Sequence, residues 1–183
     1  MAKVLVPLAE GCEEMEAVII IDVLRRAGWD VLPAGIDRER ITASRGVVLV
    51  ADARLEDVDP AGIDVLAIPG GGAGAERLRT NAAVLRLVRD FEAQGKWVGA
   101  ICAGPLVLQE AGILVNRRAT CHPGVRSRFE GQAQPERVVI DGRVVTSQGP
   151  GTAFEFALAL IRQIDGPAAA DAVAEGLLLP GDD

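Results

Sequence analysis

Residues 3–36 read KVLVPLAEGCEEMEAVIIIDVLRRAGWDVLPAGI. The first seven, Lys3 to Ala9, form a short apolar run with β-branched residues, the pattern of a strand buried on both faces of a parallel sheet. Glu10-Gly11-Cys12 makes a loop. The next stretch opens with acids, carries a long apolar face and closes on Arg25-Arg26 before Gly28. Acids first and bases last complement a helix dipole, and glycine ends the helix. WDVLPAGI (29–36) is a second strand, so the chain opens β-α-β.

The same alternation continues outward. GVVLVADARL (46–55) reads as a strand leaving the main sheet, paired in a hairpin with ITAS (41–44). IDVLAIP (63–69) is a buried strand that ends in the glycine cluster 70–74. A helix follows over 81–94, capped by Asn81 or Thr80 and ended by Gly95. WVGAI (97–101) is a strand and LVLQEA (106–111) a helix. ILVNRRATCHPG (113–124) looks strand-like up to His122-Pro123. RVVI (137–140) and RVVTSQ (143–148) flank Asp141-Gly142, a two-residue hairpin signal. AFEFALALIRQI and PAAADAVAEGLLL are the closing helices. Strands alternating with helices imply one α/β domain over residues 1–183, built on a mostly parallel sheet. Ligands of such sheets sit outside the carboxyl ends of the strands.

Composition narrows the function classes. Of 183 residues, 49% are hydrophobic and 25% charged, an ordinary profile for a chain with a substantial core. The net charge of -7 argues against nucleic acid as the main partner, because phosphate binding needs a basic footprint. No apolar run is long enough for a bilayer, and the opening lacks the regions of a secretory signal. Three cysteines, an odd number, suit a reducing compartment, and the expected location is cytoplasmic.

Chemistry-bearing residues gather where strands end. Cys102 lies between the strand WVGAI and the helix after Gly104-Pro105. Free cysteines are commonly buried core fillers, but a strand-to-helix turn exposes a side chain in the manner of a nucleophile elbow. Backbone N–H groups and a positive helix end there favour thiolate. The glycines at 70–74 match a dinucleotide fingerprint in form but follow the wrong strand for it. They let backbone N–H groups approach a reacting oxygen and, with the N–H of Ala103, form an oxyanion hole. Glu13, Glu14 and Glu16 sit at a helix start, where the dipole alone accounts for acids. Glu13 and Glu16 share a face while Glu14 points elsewhere. A carboxyl beside a thiolate would have its pKa raised and would stay a neutral donor. His122 is the single histidine; it is either a surface residue or an acid/base partner of Cys102. Cys12 and Cys121-His122 lack the spacing of a zinc ligand set, and no metal is expected.

GCEEMEAV (11–18), IPGGGAGAE (68–76), AICAGP (100–105), TCHPG (120–124) and TSQGPGTAFEFALAL (146–160) together resemble the ThiJ/PfpI superfamily, in the branch of the parkinsonism-associated protein deglycase and its bacterial relatives. The resemblance covers nearly the whole chain in order. It implies a flavodoxin-like three-layer α/β sandwich and a homodimer. It implies Cys102 as nucleophile, Glu16 as its hydrogen-bonded carboxyl and His122 as the histidine before proline. Gly71 and Ala103 match its backbone donors, and Arg26 and Arg45 its arginines near a dimer-side pocket, with Glu13 beside them. The implied activity needs no cofactor. It is conversion of methylglyoxal or glyoxal to a 2-hydroxy acid, or deglycation of protein adducts, with oxidative-stress protection. The alternative is a non-enzymatic redox-sensing chaperone acting through a Cys102 sulfinate. A peptidase of a neighbouring branch would need histidine after the elbow cysteine, where this chain has Ala103. Cys12 and Cys121 depart from the family pattern, and a disulfide of either with Cys102 is a hypothesis.

Overall fold

The computed structural model describes residues 1–130 and 133–180. A seven-stranded sheet forms the centre, with strands β1 (Lys3–Leu8), β2 (Asp30–Gly35), β5 (Ala53–Arg54), β6 (Val65–Ile68), β7 (Trp97–Ile101), β8 (Val138–Asp141) and β9 (Val144–Ser147). Their order is β5-β2-β1-β6-β7-β9-β8. All neighbours run parallel except β8 and β9. The hairpin of β3 (Arg40–Thr42) and β4 (Val48–Val50) stands apart as an antiparallel pair.

Alternation along each strand splits the core between the two faces. Val4, Val6 and Leu8 of β1 pack with α1 (Glu14–Arg26), α5 (Ala153–Ile164) and α6 (Pro167–Gly176), through residues such as Ile20, Leu24, Phe156 and Val173. Leu5, Leu66 and Ile68 face the other way. They meet α2 (Gly72–Thr80), α3 (Ala82–Ala93) and α4 (Pro105–Glu110) through Leu78, Val88, Phe91 and Leu108. Helices on both faces account for the fully buried strands. The fold is thus α/β, with a mixed, mostly parallel sheet and flanking helices. No helix of the described residues is long and apolar enough to cross a membrane.

Four expectations change in detail. The glycine cluster does not remain a loop: Gly72-Ala73-Gly74 begin α2, which the low helix propensity of glycine concealed. The run from Ile113 forms turns and irregular chain rather than a strand, although it lies along the sheet through Thr120 N–H to Thr146 Oγ1 (2.9 Å). The strand expected over 46–55 divides, with β4 in the hairpin and β5 back at the sheet edge. The second hairpin turns on Gly142-Arg143, since Asp141 already pairs with Val144. Asn81 does cap α3, its side chain accepting from the N–H groups of Ala83 and Val84.

Candidate functional site

Strands β1, β6, β7 and β9 deliver their carboxyl ends to one edge, and four distant segments meet there. Cys102 follows β7 and has φ +65°, a left-handed conformation that costs a non-glycine residue energy. Two hydrogen bonds hold it there. Its N–H donates to the Ser147 carbonyl (3.0 Å), and its own carbonyl accepts from the His122 N–H (2.8 Å). The sharp turn leaves the side chain partly exposed, as an elbow requires.

Glu16 enters from the first turn of α1 and is wholly buried. Its Oε2 accepts the Gly70 N–H at 2.7 Å. Its Oε1 is a buried side-chain oxygen without a hydrogen-bond partner among the described residues. Burial pushes this carboxyl up to about 7, against the Gly70 N–H and a hydrogen bond to Cys102, which favour ionisation. The charge of Glu13 pushes it further up.

The thiol behaves differently from the expectation. Burial first, then the Glu16 charge, push Cys102 up to about 12, although the N–H groups of Gly71 and Ala103 bond the sulfur and pull it down. The helix that was to lower it, α4, spans only six residues, and Cys102 stands apart from its first turn. Thiolate and carboxylate therefore oppose each other, and the charge-stabilising donors favour a state in which the pair keeps one proton.

Glycine is required at two places in this corner. A Cβ on Gly70 would lie 2.5 Å from the Cys102 Cβ and 2.8 Å from Glu16 Oε2. Gly71 has φ +89°, and a Cβ there would meet the Gly11 carbonyl at 2.4 Å. The glycines thus bring the N–H groups of Gly70 and Gly71 onto the carboxyl and the sulfur respectively.

His122 reaches the site through its backbone bond to Cys102, and its exposed ring lies against Gly149, which follows β9 after Gln148. Glu13 precedes α1 instead of lying on its face. Its carboxylate and that of Glu14 both accept from the Ser44 hydroxyl, at 2.7 and 2.8 Å. Glu14 also accepts the Arg45 N–H. Burial opposes ionisation of Glu14, but its own N–H, Ser44 and the N–H groups of Arg45 and Val47 outweigh it and lower its pKa. Both acids therefore tie the hairpin to α1. Arg45 stands beside Ser44 on that hairpin. Arg26 is not brought to Cys102 within this chain: it pairs with Asp22 at the far end of α1, about 15 Å of helix rise from Glu16.

Cys12 and Cys121 are fully buried free thiols. Burial, with the Glu14 charge next, raises Cys12 to about 11, and burial raises Cys121. Among the described residues no three His, Cys, Asp or Glu converge as a metal site. Sequence reading missed Ser147 and Ser44, which act through bonds to segments far along the chain, and it did not single out Gly70 within the glycine run it assigned to the site.

An elbow thiol against a buried carboxyl, on a parallel α/β sheet, marks a class of cysteine-centred proteins. The chain belongs to the DJ-1/PfpI family, whose model matches residues 2–163. Over 99% of its length it superposes on oxidized Toxoplasma gondii DJ-1, covering 100% of that chain, with a TM-score of 0.95 and 42% identity. It is 40% identical over 181 residues to the Caenorhabditis elegans glutathione-independent glyoxalase DJR-1.2, covering 97% of this chain and 96% of that protein. It is 41% identical over 167 residues to Arabidopsis thaliana Protein DJ-1 homolog B. That match takes in 90% of this chain but spans only 38% of the Arabidopsis protein.

Proposed function

We propose that this protein converts small reactive dicarbonyls such as methylglyoxal or glyoxal to 2-hydroxy acids, with Cys102 as nucleophile and no cofactor. The observation that carries this reading is Glu16, a wholly buried carboxyl set beside Cys102 across Gly70 and raised by burial to about 7. A carboxyl with that value exchanges protons near neutral pH, as a positioned acid/base must. The sulfur adds to the aldehyde carbon of methylglyoxal and its proton goes to the new alkoxide, giving a hemithioacetal. Glu16 takes the hydrogen of that carbon as a proton and returns it to the neighbouring carbon, giving a thioester of lactate. Water cleaves the thioester, restoring the thiol. The sum is methylglyoxal plus water to lactate. The N–H groups of Gly71 and Ala103, already at the sulfur, stabilise the oxyanion. Attack on an early protein adduct would release the amine by the same route. The glyoxalase name of the nematode relative supports this choice of substrate.

The strand order, with β2-β1-β6-β7-β9 as its parallel core, supports the flavodoxin-like description. A homodimer is supported by the apolar side chains left exposed on α1 (Met15, Val18) and β4 (Val48, Val50), two elements joined through Ser44. A second reading, redox sensing, is favoured by one observation: of three thiols only Cys102 is partly exposed. Peroxide would oxidise it to sulfinate, to which protonated Glu16 can donate. Lactate production by wild type and Cys102→Ala, with intact mass before and after peroxide, separates the readings. Wild-type turnover that Cys102→Ala lacks supports the enzyme. Equal lactate from both refutes it.

A further inference from the structure

His122 is held in one chemical form. It precedes the short helical turn Pro123–Arg128, and its Nδ1 accepts the Gly124 N–H at 3.0 Å. A ring nitrogen that accepts an N–H bond has its lone pair engaged and carries no hydrogen. The one hydrogen of the neutral imidazole therefore sits on Nε2. Turning the ring over about its Cβ–Cγ bond would put Cδ2–H where Nδ1 sits and lose the Gly124 hydrogen bond. An Nε2 that bears hydrogen donates and has no in-plane lone pair for a proton. Protonating the ring at Nδ1 would break the Gly124 bond and set two N–H groups against each other.

From this geometry we infer that His122 serves the reaction as a fixed hydrogen-bond donor through Nε2–H and does not act as a base, which leaves proton abstraction to Glu16. The inference rests on the dicarbonyl reading of Cys102 and divides the proton work within it. In the hemithioacetal the untouched carbonyl carbon is the one whose oxygen gains charge as Glu16 removes the neighbouring hydrogen. Nε2–H stabilises that oxygen. The hydroxyl proton passes between the two adjacent substrate oxygens, Glu16 carries the carbon-bound proton, and His122 ends with the hydrogen it began with. A neutral imidazole held as an electrophile performs the same task in other enolising sites.

The single histidine makes the test direct. Protein labelled with 15N-histidine yields one imidazole in a long-range 1H–15N correlation spectrum. At the pH of maximal turnover, Nδ1 should appear unprotonated and Nε2 protonated. A proton on Nδ1, or an imidazolium at that pH, overturns the inference. The functional arm compares His122→Gln, His122→Asn and His122→Ala. A glutamine amide nitrogen reaches the place of Nε2 and donates, but it cannot take up a proton. His122→Gln should keep kcat within about 10-fold of wild type, while the other two lose roughly 100-fold or more, the range of a lost acid/base or oxyanion donor. Equal loss in all three, with melting temperatures unchanged, overturns the donor role. Wild type that makes no lactate overturns the dicarbonyl reading together with the donor role. A wrong tautomer in an active enzyme overturns the inference alone.

Discussion

Replacing Glu16 by glutamine should stabilise the protein at alkaline pH while disabling it. In the fold this carboxyl titrates at about 7, against 4.5 for an ordinary one. Below 4.5 both folded and unfolded chains hold the proton, and its contribution to stability is fully present. As pH rises, the unfolded chain loses the proton first and is favoured. The stability is lost progressively until pH passes about 7. The gap corresponds to about 3 kcal/mol, taking 1.36 kcal/mol per pH unit. Glutamine has the same shape, can still accept the Gly70 N–H and has no proton to lose. At pH 8 Glu16→Gln should therefore melt higher than wild type by roughly 6–12 °C, at about 2–4 °C per kcal/mol for a chain of this size. Near pH 4.5 the two should coincide. Scanning calorimetry from pH 4.5 to 8.5 reads this directly, and lactate production should fall about 10²–10⁴-fold in the variant. Parallel curves across the whole range, or a less stable Glu16→Gln at pH 8, would show that Glu16 is not a strained buried acid.

Gly70→Ala should abolish turnover and cost about 1–3 kcal/mol in chemical denaturation, because its Cβ would intrude between Cys102 and Glu16; unchanged stability would contradict the close approach. Ser44→Ala removes the hydroxyl shared by Glu13 and Glu14 and should lower stability by about 1 kcal/mol, with the loss shrinking once acid protonates Glu14, whose pKa Ser44 helps to lower. Mild peroxide should add oxygen at Cys102 and leave Cys12 and Cys121 reduced, since both are fully buried while Cys102 is partly exposed; a disulfide between Cys102 and either one, seen by peptide mass, would refute this. Glu76, held down to about 2 by Arg79 and then Arg128, lies on the surface. Its stabilisation, present above 4.5 and lost as pH falls through 2, should stay below about 1 kcal/mol in a Glu76→Gln comparison.

Much of the architecture was legible because buried parallel strands are apolar without interruption, and KVLVPL, VLAI and WVGAI show it locally. Cys102 was legible for the same reason: a strand, a glycine-proline turn and a helix in succession define an elbow within a few residues. Helix α2 was not. Its glycines argue against a helix on intrinsic propensity, and what overrides them is the close packing of Gly74 on the Cys12 backbone, where a Cβ would lie at 2.6 Å. The turns after Ile113 were misread because β-branched residues in an irregular, half-buried segment carry the same local signal as a strand.

By itself the sequence determined the alternating order of elements, the acids at the head of α1, the glycines at the end of β6 and the cysteine at the elbow. These follow from patterns a few residues long. Only the tertiary structure decided which acid belongs to the thiol and that this thiol is raised and not lowered. Glu16, Gly70, Cys102 and His122 come from segments far apart in the chain. Desolvation and hydrogen bonding depend on distances and burial that no one of those segments contains.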